Sequence, residues 1–274
     1  SEITEDRRPA SRIGGGDLPM PVTDATDPDH VIVTSTVAWH SRDGGKTWLA
    51  LKGAPGGDDY QNGWIDPAHP EIVALASDQG AVISLNGGAT WSSWYNQPTA
   101  QLYHVSADNA FPYRIYSGQQ ESGSVGIASR GDDGQITFRE WHPVAVDEYG
   151  YVAPDPLDPD VIYGGHIVSR FDRRTGQVQS VGPAPGGAFR IVRTQPVVFS
   201  TVDPHVLFYA NNVLWKTTDG GTHWQQLSPD LTRADWTVPD SVGKYRGQDS
   251  AKPSQRGVIY TVAPSYLDLD RIWV

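Results

Sequence analysis

A short sequence box recurs along the chain as SRDGGKTW (41–48), SLNGGATW (84–91) and TTDGGTHW (217–224). The first two copies begin 43 residues apart, and the third begins 133 residues after the second. That gap is three periods of about 44 residues, so two degenerate copies are expected inside it. SRGDDG (129–134), with Trp141 beyond it, and SRFDRRTG (169–176) stand where they should fall. A second repeat runs in phase with the first. Asp-Pro turns precede β-branched runs in DPDHVIV (27–33), DPAHPEIVAL (66–75), DPLDPDVIYGG (155–165) and DPHVLFYA (203–210). SADNAFPYRIYSG (106–118) and SYLDLDRIWV (265–274) are weaker versions. Each unit reads as turn, strand, short turn, strand, Asp-Gly-Gly turn, strand. Helical periodicity is absent, apart from a possible single turn over 231–236. Gly (29) and Pro (21) are abundant enough to supply the many turns this demands.

A unit of that length with three or four strands matches a propeller blade. One blade cannot bury both of its faces, and stacking blades around an axis does so while removing most open edges. The expected fold is therefore all-β, a β-propeller of four-stranded antiparallel blades. Five blades are recognisable, and an incomplete sixth begins near 257.

The box itself is folding chemistry. Glycine adopts positive φ at no steric cost. The carboxylates of Asp43 and Asp219, and the amide oxygen of Asn86, are expected to accept backbone N–H groups of their own turns. Ser41, Ser84 and Thr217 can bond locally. Gly45, Gly88 and Gly221 supply the turn, Thr47 and Thr90 close it, and Trp48, Trp91 and Trp224 are expected to wedge between neighbouring sheets.

S-x-D-G-G-x-T-W resembles the Asp-box, or bacterial neuraminidase repeat. The surrounding chain, from about residue 12 to 274, is similar to sortilin-like and glycosyl-hydrolase-like Asp-box propellers of exported bacterial proteins. Stretches 94–113, 117–125, 150–165 and 215–233 carry the likeness. The resemblance implies the fold and a secreted, periplasmic or cell-surface location. It does not select an activity, because sialidases, xyloglucan-hydrolysing enzymes, sortilin-type receptors and photosystem assembly factors share the box. The sialidase Arg-Ile-Pro string is missing; Arg190-Ile191-Val192 and Arg114-Ile115-Tyr116 lack the proline.

The sequence stops at Val274, inside an expected strand. Residues 1–274 are accordingly expected to be a single propeller domain, a fragment of a longer chain. The rest of that polypeptide, or another chain, would complete the ring. Residues 228–257 form a polar insertion between blades five and six.

Ligands of propellers meet the axial mouth, and the segments expected to reach it are polar. They offer Asp58, Asp59, Tyr60, Gln61 and Trp64; Gln101, Tyr103 and His104; Gln119, Gln120 and Glu121; and Asp147, Glu148, Tyr149 and Tyr151. Acidic groups beside aromatic rings suit a sugar. Glycoside hydrolysis needs two carboxyl groups flanking the bond, and Glu121 with Asp147 or Glu148 is the weak candidate pair. The expected function is a non-catalytic module binding a glycan, peptide or protein subunit at the axial mouth. A glycoside hydrolase of the Asp-box class and a sortilin-like peptide receptor are the alternatives.

Composition limits the rest. The absence of cysteine excludes disulfides, zinc-thiolate sites and cysteine nucleophiles. Lys plus Arg is 21 against 32 Asp plus Glu, a net charge of −11 that disfavours nucleic acid. No apolar run is long enough for a membrane-spanning helix. The eight histidines show no metal-ligand spacing, His104, His142 and His166 standing isolated, so neither metal nor cofactor is expected.

Overall fold

The computed structural model describes residues 19–53, 59–93, 100–120, 122–183, 189–233 and 257–274. Asp58, Glu121 and residues 234–256 of the insertion lie outside them, as does part of the possible turn at 231–236. The described residues form two compact units divided between Ala100 and Gln101.

In the first unit, sheet A comprises β1 (Met20–Thr23), β2 (Val31–Thr34), β3 (Ala38–Ser41) and β4 (Leu49–Lys52). Sheet B comprises β5 (Tyr60–Ile65), β6 (Val73–Ser77) and β7 (Gly80–Ser84). In the second unit, sheet C comprises β8 (Ser106–Ala107), β9 (Arg114–Gln119), β10 (Gly123–Ala128) and β11 (Trp141–Pro143). Sheet D comprises β12 (Val152–Pro154), β13 (Val161–Gly164), β14 (Ser169–Asp172) and β15 (Gln177–Ser180). Sheet E comprises β16 (Val197–Phe199), β17 (Leu207–Ala210), β18 (Leu214–Thr217) and β19 (Gln225–Gln226). Sheet F comprises β20 (Ala263–Pro264) and β21 (Ile272–Trp273). Strands pair antiparallel in chain order throughout, so each sheet is a meander and none is closed. The helical content among the described residues is a 3-10 turn at Phe138–Glu140, where Thr137 caps the start and Glu140 returns to the Thr137 N–H.

One turn links the first two strands of all six sheets. The N–H of Asp24, Asp66, Asp108, Asp155, Ser200 and Ser265 donates to the carbonyl six residues on, at His30, Ile72, Arg114, Val161, Val206 and Arg271. The side chain of the same first residue accepts the N–H two residues ahead, in all six copies. Aspartate and serine serve alike because each puts an acceptor oxygen at the reach an Asx or ST turn requires. The motif starts at Asp24 and Ser200, three residues ahead of the Asp-Pro pairs at 27 and 203, which were the visible sequence signal.

The third strands end at Ser41, Ser84, Ala128, Asp172 and Thr217. Successive spacings are thus 43, 44, 44 and 45 residues, tighter than the box letters suggest. The fourth degenerate box needs correcting. Ser169 begins β14 rather than ending it, and the turn runs from Asp172, which accepts the Arg174 N–H, to Gly176 at φ +70°.

Within each unit, cores lie between successive sheets. Ile32 of sheet A packs with Tyr60, Val73 and Leu75 of sheet B, and Leu51 and Trp91 close against them. Tyr116 of sheet C meets Ile162 and Phe171 of sheet D. Tyr163 of sheet D meets Leu207, Tyr209 and Trp215 of sheet E. Phe208 and Leu214 of sheet E meet Ile259 and Val262, which precede β20. Each fully buried side chain of this size contributes roughly 1.5–3 kcal/mol, so face-to-face stacking holds each unit together.

Candidate functional site

The box turns form as local hydrogen-bond cages. Ser41 Oγ accepts the Gly45 N–H at 2.8 Å, and Asp43 accepts the Thr47 N–H and hydroxyl at 2.9 and 2.6 Å. Ser84 accepts the Gly88 N–H, while Asn86 Oδ1 accepts the Thr90 N–H, both at 2.8 Å. Thr217 Oγ1 accepts the Gly221 N–H at 3.1 Å, and Asp219 accepts the His223 N–H at 2.9 Å. His223 Nδ1 lies 2.7 Å from the second Asp219 oxygen, so it takes the place of the box threonine. These bonds hold the Asp43 and Asp219 carboxyls at about 2. Trp224 Nε1 donates to the Val181 carbonyl beyond β15, which fixes its indole against sheet D. All these atoms serve the fold.

Of the mouth candidates in the first unit, Tyr60 is 2% exposed and belongs to the core. Asp59 has a positive φ of 46°, Gln61 donates to Asp78, and Trp64 is half exposed on β5.

In the second unit the remaining described candidates come together. Tyr103 donates its hydroxyl to Gln120 Oε1 at 2.6 Å, and its ring meets Tyr149 edge-on with centroids 5.5 Å apart. The Arg193 guanidinium sits 4.7 Å above the Tyr149 ring. The Gln120 N–H donates to the Gln101 carbonyl, and Gln119 bridges to Leu102. His104 stacks on Tyr151 with centroids 3.9 Å apart, and burial lowers its pKa, leaving a neutral ring. The ideal Cβ of Gly118 would stand 3.0 Å from the Glu148 carbonyl oxygen, so that backbone crosses sheet C closely.

Asp147 does not stand ready for a second carboxylate. It holds His166 Nδ1 and accepts the Glu148 N–H. Burial raises its pKa, but the hydrogen bonds from His166 and Glu148 outweigh that and leave it below the usual value. The Tyr209 hydroxyl donates to the His166 carbonyl at 3.0 Å. His166 is therefore not isolated, and positive φ at Ala145, Asp147 and Val168 surrounds the pair. The proposed partner Glu121 is outside the described residues. Among the described residues, no group of three or more His, Asp or Glu side chains could hold a metal ion.

This unit holds a cleft of about 930 Å³. Its walls are the first strands of sheets C, D and E, β8, β12 and β16, with Tyr266 of sheet F at one end. Consecutive residues of each strand line it, so it runs along strand edges. Alternate residues of an edge strand aim N–H and C=O away from the sheet. The bonds of Asp108, Asp155 and Ser200 to the second strands set the parity and leave Ala107, Val152, Pro154, Val197 and Phe199 facing outward. Pro154 has no N–H, and Ser106 Oγ donates to the Val152 carbonyl, so the β12 edge is blunted. On β16 the outward groups of Phe199 have no backbone partner among the described residues, whereas Val197 is buried in the core.

The polar side chains lining the cleft are mostly engaged. Asp108 accepts from Tyr116 Oη at 2.9 Å and Arg114 Nη1 at 3.1 Å. Asn109 donates to the Pro156 carbonyl, and Ser200 accepts two N–H groups of its own turn. Polar and apolar atoms share the cavity surface almost equally, and its aliphatic and aromatic side chains include Val105, Val198, Leu157 and Tyr266. Of the wall residues, only His104 and Tyr151 are among the candidates read from the sequence. The other wall strands are short apolar runs, and nothing in them tells a cleft-lining strand from any other.

No protein-family model and no curated relative matches the chain. Among solved structures it is similar to a GH74 xyloglucanase from Xanthomonas campestris, at 19% identity over 91% of this chain and 42% of that one, with a TM-score of 0.40. It is similar to YCF48 bound to D1 peptide, at 16% identity over 72% and 64%, TM-score 0.31. A third is the extracellular domain of the one-component system BT4673 from B. thetaiotaomicron, at 9% identity over 80% and 30%, TM-score 0.36. The chain spans less than half the length of the xyloglucanase. Among the described residues, no helix is long and apolar enough to cross a membrane.

Proposed function

We propose that the chain is a peptide-binding module of an exported protein, its sheets being blades of the Asp-box propeller type. The observation that carries this reading is the chemistry of the cleft walls. A glycan presents hydroxyls that need free polar partners, whereas Ser106, Asp108, Asn109 and Ser200 are already engaged. The aliphatic and aromatic wall side chains, the His104–Tyr151 stack and the β16 edge at Phe199 suit an extended peptide with apolar side chains. The edge would bond the peptide main chain and the walls would select its side chains.

Peptide display against the full chain, beside a glycan panel, tests the proposal. Selected peptides are expected to lose about tenfold or more in affinity with Tyr151→Leu, in a variant that circular dichroism shows to be folded. Glycan binding that depends on Tyr151, with no peptide recovered, would contradict it.

A further inference from the structure

The six copies of the strand-linking turn provide an internal control. The third residue of each turn, Thr26, Ala68, Ala110, Leu157, Val202 and Leu267, gives its backbone N–H to the turn, and Thr26 alone adds a side-chain bond, its hydroxyl donating to Asp24. Its side chain is free to vary, and threonine or alanine suffices in sheets A to C. In sheets D, E and F it is a large aliphatic group left in solvent, 56%, 42% and 93% exposed in order. Tyr266, beside Leu267, is 80% exposed. Nothing in the turn requires these groups, and Leu157 and Tyr266 line the same cleft, where apolar groups gathered at one place mark a contact surface.

The same turns close one end of the cleft. Asn109, Pro156, Leu157, Thr201, Pro204 and Tyr266 all line it there, while His104 and Tyr151 stand at the other end of the first strands. The turns of sheets D, E and F also carry six carboxylates, Asp155, Asp158, Asp160, Asp203, Asp268 and Asp270. Three arginines pair with them: Arg174 with Asp158, Arg173 with Asp160, and Arg271 with Asp268. Asp155 and Asp270 have no arginine or lysine partner among the described residues, and Asp203 is paired with His205. The turns at this end of the cleft thus carry apolar side chains together with an excess of carboxylates.

We propose that this end receives a cationic segment, in which apolar side chains settle on Leu157, Tyr266 and Leu267 and flanking Lys or Arg side chains meet the turn carboxylates. The inference rests on the peptide reading of the cleft and names the peptide's chemistry. Opposite charge around an apolar contact raises the association rate and rejects anionic competitors.

Three synthetic peptides of about twelve residues, long enough to follow β16 and pass the turns, form the probe set. One has a Leu/Phe centre with Lys and Arg flanks, the second the same centre with Glu flanks, and the third Lys and Arg flanks on a Ser centre. Fluorescence anisotropy with the full chain is read at low and high salt. The first peptide is expected to bind about tenfold or more tighter than either of the others, and to weaken as salt rises. Leu157→Ser with Leu267→Ser should remove most of that binding. Asp155→Asn with Asp270→Asn, which keeps the turn acceptors, should flatten the salt dependence. Circular dichroism and melting confirm that both variants fold. Equal or tighter binding of the Glu-flanked peptide, or binding indifferent to salt and to both double variants, overturns the inference. If the two Leu/Phe peptides bind equally and Tyr151→Leu abolishes both, the peptide reading survives without it. If no peptide binds, both fall.

Discussion

Thr217→Val separates the hydrogen-bonding role of the box from its shape. Valine matches threonine in volume but lacks the hydroxyl. Thr217 is 2% exposed, and its Oγ1 accepts the buried Gly221 N–H at 3.1 Å while donating to Asp219 at 2.9 Å. A third contact, from the Asp219 N–H at 3.4 Å, is too long to count for much. The variant leaves one buried backbone donor without an acceptor, a cost of about 1–3 kcal/mol. Thr217→Ser keeps the hydroxyl and removes one methyl, a cost of about 1 kcal/mol or less, and serine already fills this place at Ser41 and Ser84. Equilibrium urea unfolding, followed by tryptophan fluorescence and circular dichroism, gives both values. The expected order is parent, Thr217→Ser, Thr217→Val. Thr217→Val equal to or more stable than Thr217→Ser would refute the claim that the hydroxyl holds the turn.

Other outcomes follow from the same turns. Gly221→Ala should cost about 1–3 kcal/mol or more and lower the melting temperature by several degrees, because Gly221 has φ +89° and a Cβ there would lie 2.8 Å from the Val181 carbonyl oxygen. Asp43 and Asp219 are depressed from the ordinary 3.8 to about 2, so their contribution is complete above pH 4 and is lost as pH falls toward 2. An acid melting series should show that loss, and Asp43→Asn with Asp219→Asn should reduce its steepness. Asp147 is also depressed, so its hold on His166 should weaken in acid; the His166 ring resonances in NMR should report it.

Local chemistry explains what the sequence disclosed. The Asp-Gly-Gly corners declare themselves because positive φ and a nearby acceptor are needed within a few residues. The degenerate copy at 169–176 misled for the same reason. Its letters imitate the box, but the Asp155 turn sets the pairing, with the Arg173 N–H on the Asp160 carbonyl, and moves the corner to Asp172. The six-fold turn was half visible, since Ser200 and Asp24 lie ahead of the Asp-Pro pairs that draw attention. The site was less legible. Asp147 and His166 are 19 residues apart in chain and belong to different turns. The cleft needs the first strands of three sheets and a tyrosine from a fourth, and each is an ordinary short apolar run by itself. Tyr60 shows the converse, a polar-looking neighbourhood whose ring is core.

Hydrogen exchange of the full chain, measured by mass spectrometry with and without the Lys- and Arg-flanked peptide, addresses the cleft most directly. Slower exchange on binding is expected in segments covering β8, β12 and β16, with the outer strands β11, β15 and β19 unchanged. Protection confined to the outer strands, or none at any first strand despite measurable binding, would contradict a ligand held along the inner edges.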